Sequence, residues 1–351
     1  MLAQVTHILP ITNIRRERLL PIPGRVAVRK GQKVSATDVI AEVRMSPEHM
    51  LLDIARGLGL PAREADEHLQ CQAGDQVAEG DVLAGPVGMA KRVVRANKNG
   101  RVIVSGDGLI LLELDGPPLE LKAGLPGNVA DLVGDRGAII ETSGALIQGV
   151  WGNGQIDFGL MHVMAQSPDE ELGADRLEVS QRGSVIMGGH CKDPQVLKVG
   201  GELPLRGLIL GSMDASLMPH AAKARYPVIV IDGIGKREMN MAAFKLLSTN
   251  ERREVAINAE TWDRYTGKRP EVIIPLPATG AIGLPRETVD FLPGQKVLVI
   301  RAPYAGQTGT LQGILPGLTL LPNGIKAHAG EVQLENGDDV VVPLVNVEVL
   351  V

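Results

Sequence analysis

Two stretches of this 351-residue chain carry nearly the same phrase: GQKVSATDVIA at 31–41 and GDQVAEGDVLA at 74–84. Each reads Gly, then Val three residues later, then Asp-Val-aliphatic-Ala. A tight turn followed by an inward-pointing valine needs that pattern, and a chain that writes it twice is built from short, turn-bounded strands. The flanking segments agree. PIPGRVAVRKGQKV, LQCQAGDQVAEGDVLAG and KRVVRANKNGRVIVSGDGLILLEL alternate apolar and polar residues between Gly, Asn and Asp turns, the period of half-buried strands. One helical piece interrupts them. SPEHMLLDIARGLGL offers Ser46 as N-cap, Pro47 in the first turn and Gly57 near the end, and PAREADEHL extends it. This predicts a helical insertion at 46–69. The turn-rich DGPPLELKAGLPGN (115–128) marks the end of a first domain, 1–118.

Composition bounds the possibilities. The length allows two or three domains. A hydrophobic content of 44% with 22% charged residues suits a soluble globular chain. A net charge of −5 gives no overall reason to expect nucleic acid, and 2% aromatics leave few rings for base stacking. Cys71 and Cys191 form no CxxC or Cys/His spacing, so neither zinc nor a disulfide framework is expected, and a reducing cytoplasm is the default. MLAQVTHILPITNIRRERLL lacks a long apolar core after a basic start, so no leader is expected. No apolar run reaches membrane-spanning length.

The character changes over 129–285. AIIETSGALIQGVWGNGQ reads as strand and glycine loop. SVIMGG, RGLILGS and PVIVID are short apolar runs suited to buried parallel strands, with DASLMPHAAKAR and KREMNMAAFKLLSTN following the last two as helices. REVAINAE and PEVIIPLP read as further strands. Residues 286–351 return to β structure: GQKVLVIRAPYAGQTGTL and EVQLENGDDVVVPLVNVEVL fit a small five-stranded barrel, with Asn336-Gly337 as a hairpin turn.

These motifs carry resemblances. GDQVAEGDVLAG…VVRANKNGRV resembles the barrel-sandwich hybrid of biotinyl and lipoyl carrier domains, and PIPGRVAVRKGQKVSATDVIAEV resembles the second half of that fold. The pairing is also similar to the N-terminal sandwich domain of RnfC-type proteins. Two similar half-units packed face to face would explain the doubled phrase. Carriers place a modified lysine at a hairpin tip within Ala/Val-Met-Lys-Met. Met89-Ala90-Lys91 stands at about that place, but Gly88 precedes it, Arg92 follows, and the spacing to Ala96 is short. Lys91 is therefore expected to be an exposed loop lysine, with no attached cofactor. The segment from Gly294 to Leu311 resembles the start of a KOW, SH3-like barrel, with Ala302 replacing the usual glycine. That resemblance implies docking to protein or nucleic acid, as in NusG-type elongation factors and ribosomal proteins. Three cations (Lys296, Arg301, Lys326) stand against six carboxylates over 290–351, which favours a protein partner over RNA. As a whole the chain resembles a prokaryotic family assembled from such modules.

In an open α/β sheet, ligands bind where the carboxyl ends of the strands meet loops and helix starts. Reading those ends gives His190, Cys191, Lys192 and Asp193 after the first strand, Ser212 and Asp214 after the second, and Asp232, Gly233, Gly235 and Lys236 after the third. Parallel neighbouring strands would place them on one rim. Asp214 or Ser216 would equally cap the following helix, and Asp232-Gly233 would make a turn. GVWGNG (149–154) resembles a nucleotide loop, but no helix follows it, so a turn is expected. HAAKARYPVIVIDG (220–233) resembles a swivelling phosphohistidine domain, but the spacing from His220 to Pro227 is short, which puts His220 on a helix flank.

The sequence thus predicts a multidomain α+β protein: a barrel-sandwich hybrid at 1–118, an α/β domain with a short parallel sheet at 129–285, and a KOW-like barrel at 286–351. The leading functional expectation is a cytoplasmic, non-catalytic scaffold working through protein contacts. Two others stand beside it. One is a small-molecule-binding protein or enzyme using His190, Ser212, Asp214, Asp232, Gly233, Gly235 and Lys236. The other is a transcription- or ribosome-associated factor that meets RNA, ribosome or polymerase through 286–351. No metal site and no membrane association are expected, and a second copy of the chain stays open as a partner.

Overall fold

The computed structural model describes residues 2–45, 48–114, 116, 118–263, 267–277 and 283–351. Strand accounts for 46% and helix for 13%, so the protein is mostly β. Among the described residues no helix is long and apolar enough to cross a membrane. The chain forms two compact units. One comprises Met1–Leu19, Ala27–Ile40 and Lys122–Val351, and the other Leu20–Val26 and Ala41–Leu121. This division departs from the expected segments 1–118, 129–285 and 286–351, because the first nineteen residues pair with strands far along the chain.

The first unit is organised by an eleven-stranded mixed sheet. Its parallel part runs through Ile156–Val163, Val185–Cys191, Gly207–Met213 and Val228–Ile234, as neighbours in that order. The three apolar runs read as buried parallel strands are therefore adjacent. Their residues alternate between two cores. Ile186, Leu208, Leu210, Val228 and Val230 pack with Val196, Leu197, Leu217 and Ala221. Met187, Ile209, Ile229 and Ile231 pack with Ala243 and Leu247. Covering on both faces explains why these strands read as unbroken apolar runs. The covering helices are Pro194–Glu202, Met218–Ala221 and Met241–Ser248. Glu254–Asn258 and Glu271–Pro275 continue the sheet antiparallel, as their sequences suggested.

Beyond them lies Gly137–Gln148, which pairs with the twelve-residue strand Ile8–Leu19. ITNIRRERL hides this strand from a hydropathy reading because its inward groups include arginines. Arg16 binds Glu271 through Nη2–Oε1 at 2.6 Å and Nε–Oε2 at 3.0 Å, and Gln148 Nε2 donates to the same carboxylate at 3.0 Å. Arg18 Nη1 reaches Glu260 at 2.7 Å. Buried ionic groups persist only when paired in this way.

A seven-stranded sheet holds the C-terminal segment, in the order Thr288–Asp290, Leu2–Thr6, Val347–Leu350, Lys296–Val299, Thr308–Ile314, Ala329–Leu334, Asp339–Pro343. The Asn336-Gly337 hairpin is present, with Gly337 at φ 92°. The expected self-contained five-strand set is extended by Leu2–Thr6, which lies parallel to the last strand with Val5 opposite Val349. A buried ion pair pins this arrangement: Arg269 Nη2 stands 2.9 Å from Glu348 Oε1, and Thr6 Oγ1 donates to Glu348 Oε2 at 2.6 Å. Arg269 also lies over the Trp262 ring, 4.5 Å from its centroid.

The second unit packs its sheet His49–Asp53, Leu109–Leu114, Gly100–Gly106, Gln76–Val77 around Ile54, Leu58, Leu83, Val102, Ile110 and Leu112. The predicted helix at 46–69 is corrected here. HMLLD forms a strand opposite Leu109–Glu113, and helix begins only at Ile54, capped by Asp53, with a second short helix at Ala62–Asp66. Ser46 and Pro47, the expected cap and first-turn residues, lie outside the described residues. Pairing with the apolar Leu109 strand outweighs local helix propensity over 49–53.

The doubled phrase makes the same local structure twice. Gly31 N–H donates to Val129 O at 2.8 Å and Gly74 N–H to Val102 O at 2.7 Å. The Asp38 carboxylate accepts from Ser35 N, and that of Asp81 from Ala78 N, each at 2.8 Å. The first copy lies in the first unit up to Ile40, and the second copy lies in the second unit, so the repeat records one turn geometry used in two places.

Candidate functional site at the parallel strand ends

The rim predicted from the strand ends is partly assembled. His190 stands opposite Ser212 and Ser212 opposite Gly233 across the three strands. His190 Nδ1 lies 2.9 Å from Ser212 Oγ, and both side chains are buried. Ser212 Oγ donates its single proton to Arg237 O at 2.5 Å and accepts from Arg237 N at 3.2 Å. The histidine must then supply the proton on the Nδ1 side, which leaves the lone pair on Nε2. Burial pulls the His190 pKa down, with Glu171 acting in opposition. The ring is thus held as the neutral Nδ1–H tautomer. His190 and Ser212 do not form a base–nucleophile pair, because the hydroxyl proton points to Arg237 O and not to the imidazole.

The other predicted residues take separate roles. Asp214 caps the next turn, accepting from Ser216 N at 2.9 Å and Ser216 Oγ at 2.7 Å; these bonds hold its carboxyl below the usual range. Asp232 is buried and accepts from Asn240 N at 2.8 Å and Asn240 Nδ2 at 2.7 Å. Burial pushes its pKa up to about 6 against these bonds. Asn240 in turn caps the Met241–Ser248 helix through Ala243 N at 2.8 Å. Cys191 is buried, and its thiol is pushed up to about 12, which makes it unreactive. Asp193 caps the Pro194–Glu202 helix. Lys192 and Lys236 are exposed and share Glu171, at 2.6 and 3.8 Å. Glu171, Arg237 and Asn240 were not singled out by the sequence reading. They come from loops whose approach to the strand ends no local pattern signals.

Arg237 binds the strand ends to the C-terminal segment. Its Nη1 donates to Ala305 O, and its Nε to Ile234 O at 3.3 Å. Gly233 (φ 152°) and Gly306 (φ 84°) both lie against its side chain; a Cβ on Gly306 would stand 2.2 Å from Nη1. Next to it opens a cleft of about 800 Å³, with Lys236, Asn240 and Met241 on one side and Gln307, Thr308 and Asn336 on the other. Lys236 is the one residue of the predicted rim in its lining.

Three other readings resolve simply. GVWGNG is a sheet edge: Trp151–Gly152 pairs with the Val228 strand, and a Cβ on Gly152 would meet Ala259 O at 2.3 Å. Lys91 stands at a turn (φ 46°) between Val82–Val87 and Arg92–Arg95, with Met89 fully exposed beside it. His220 lies on the exposed flank of the Met218–Ala221 helix. Among the described residues no three His, Cys, Asp or Glu side chains gather as metal ligands.

A second surface stands out in the C-terminal segment. Thr319–Leu320 pairs with Lys326–Ala327 as a separate hairpin, closed by Leu321 N–H to Ile325 O at 2.9 Å. Leu318, Leu320 and Ile325 are 62%, 64% and 58% exposed on it. Comparison with known proteins adds no assignment: no protein-family model matches the chain, and no curated protein matches it.

Proposed function

We propose that this chain is a modular binding protein that acts through protein contacts in the cytoplasm, with the 318–327 hairpin as its docking element. The observation that carries the reading is the exposure of Leu318, Leu320 and Ile325 together on one two-stranded hairpin. Adjacent apolar side chains left in water mark association surfaces more often than isolated ones do. The resemblances of the outer segments to barrel-sandwich and KOW-like modules support the same reading, since both serve as docking modules. The balance of three cations against six carboxylates over 290–351 speaks against RNA as the partner. The rim also fits binding better than catalysis, because Ser212, Asp214, Asp232 and Cys191 are each engaged or masked within the fold.

The test is quantitative cross-linking in the native cell, comparing wild type with a Leu318→Ser, Leu320→Ser, Ile325→Ser variant. One or a few proteins should be lost from the variant while its melting temperature is unchanged. Identical cross-linked sets would remove the hairpin from the reading.

The cleft beside Arg237 favours a second reading, a small-molecule site at the strand ends, since its volume falls within the range of ligand pockets. A thermal-shift screen of metabolites and nucleotides tests it. A ligand that stabilises wild type but not Asn240→Ala supports it, and the absence of any stabilising ligand removes it.

A further inference from the structure

Between the Pro194–Glu202 helix and the segment 220–226 lies a groove that none of these readings uses. Leu197, Leu205 and Tyr226 belong to the core below it and form its floor. Tyr226 Oη donates to Leu197 O at 2.9 Å, which fixes the floor in place. Gly200 permits this approach, because a Cβ there would stand 2.5 Å from Tyr226 Oη. The groove holds about 490 Å³.

Its rim is of one sign. Lys198, Lys223 and Arg225 line it, beside His220, and among the described residues no carboxylate does. Two acids adjoin the lining in sequence: Glu202 stands 4.0 Å from Lys198, a solvent-screened pair one turn along the helix, and Asp193 is engaged in capping through Gln195 N. In a chain with net charge −5 this is a local reversal of sign. An apolar floor under a cationic rim suits a ligand with an apolar body and an anionic head. The body displaces water from the apolar walls at Pro194, Pro204 and Ala224 above this floor, and the head meets lysine and arginine at the mouth.

We propose that this groove binds a free, single-headed amphipathic anion, such as a hydrocarbon or aryl carboxylate or phosphate monoester. The interaction is non-covalent, salt-dependent association. The proposal is independent of the hairpin and of the cleft beside Arg237.

The full-length protein tests it by isothermal titration with octanoate and with 1-octanol, the same chain without the charge. Octanoate should bind saturably at one site, on the order of tenfold or more tighter than 1-octanol, and added salt should weaken it. Lys223→Glu with Arg225→Glu should weaken octanoate by about tenfold or more. Gly201→Phe should abolish binding by filling the groove. Gly201 is helical, lines the groove, and has nothing within 4 Å of a Cβ, so the variant should melt with wild type. Co-sedimentation with phosphatidylcholine vesicles containing phosphatidylglycerol separates the two sources of such a head group. Vesicle binding without octanoate binding overturns the proposal in favour of a membrane surface. Equal affinity for octanoate and 1-octanol, no saturable octanoate binding, or binding that survives both variants overturns it outright.

Discussion

Asp232 makes stability depend on pH in a direction opposite to that of most carboxylates. Its folded-state pKa is raised from 3.8 to about 6, chiefly by burial. A carboxyl with a raised folded value stabilises the fold fully below its unfolded pKa, and that contribution is lost as pH rises through the folded value. A rise of roughly two units corresponds to about 3 kcal/mol. Asp232→Asn cannot titrate. It also loses an acceptor for Asn240, a fixed cost of about 1–3 kcal/mol at every pH, which cancels when two pH values are compared. The stability difference between wild type and Asp232→Asn should therefore change by about 2–2.5 kcal/mol between about pH 4 and 7, with wild type losing relative to the variant as pH rises. The chain's two tryptophans, Trp151 and Trp262, both lie in the first unit, so urea unfolding followed by their fluorescence reports the right structure. Wild-type and variant pH profiles that run parallel within about 0.5 kcal/mol would refute the assignment of a buried, reluctantly ionised Asp232.

Three further outcomes are expected. Glu348→Gln should destabilise the first unit by about 3–5 kcal/mol by stranding the buried Arg269, and Arg269→Met with Glu348→Leu should recover much of it in a denaturant series; additive losses would deny the coupling. Gly306→Ala should cost about 1–3 kcal/mol through its positive φ and the approach to Arg237, and less on an Arg237→Ala background; a loss unchanged by the background would discount the clash. Nitrogen NMR of the His190 ring at neutral pH should show the Nδ1–H tautomer, with Ser212→Ala releasing that preference; an Nε2–H ring in wild type would contradict the Ser212–Arg237 relay.

The parallel strands were legible because burial on both faces writes itself as continuous apolar runs, and the rim followed from their ends. What escaped the sequence shares a cause: the groups involved are satisfied by partners that only the folded chain brings to them. Arg16 makes Ile8–Leu19 look solvated, yet its carboxylate partner is 255 residues away. The Pro194–Glu202 helix is disguised by Gly200 and Gly201, which read as breakers although the first admits Tyr226 and the second faces open space. HMLLD looks helical until the Leu109 strand is known to flank it. On the rim, Asp232 could be placed but not Asn240, because an Asn eight residues on becomes its partner only when the intervening loop folds back.

The parallel pairing of Leu2–Thr6 with Val347–Leu350 sets an order of events during synthesis. Val5 is made long before its partner Val349, which lies far along the chain. Until then the Leu2–Thr6 strand presents an unpaired edge, and Thr6 awaits the carboxylate of Glu348. The C-terminal sheet therefore cannot close until Val347–Leu350 has been made, and contacts at such sequence separation form slowly, so this region should be late to acquire native protection and prone to recruit a chaperone.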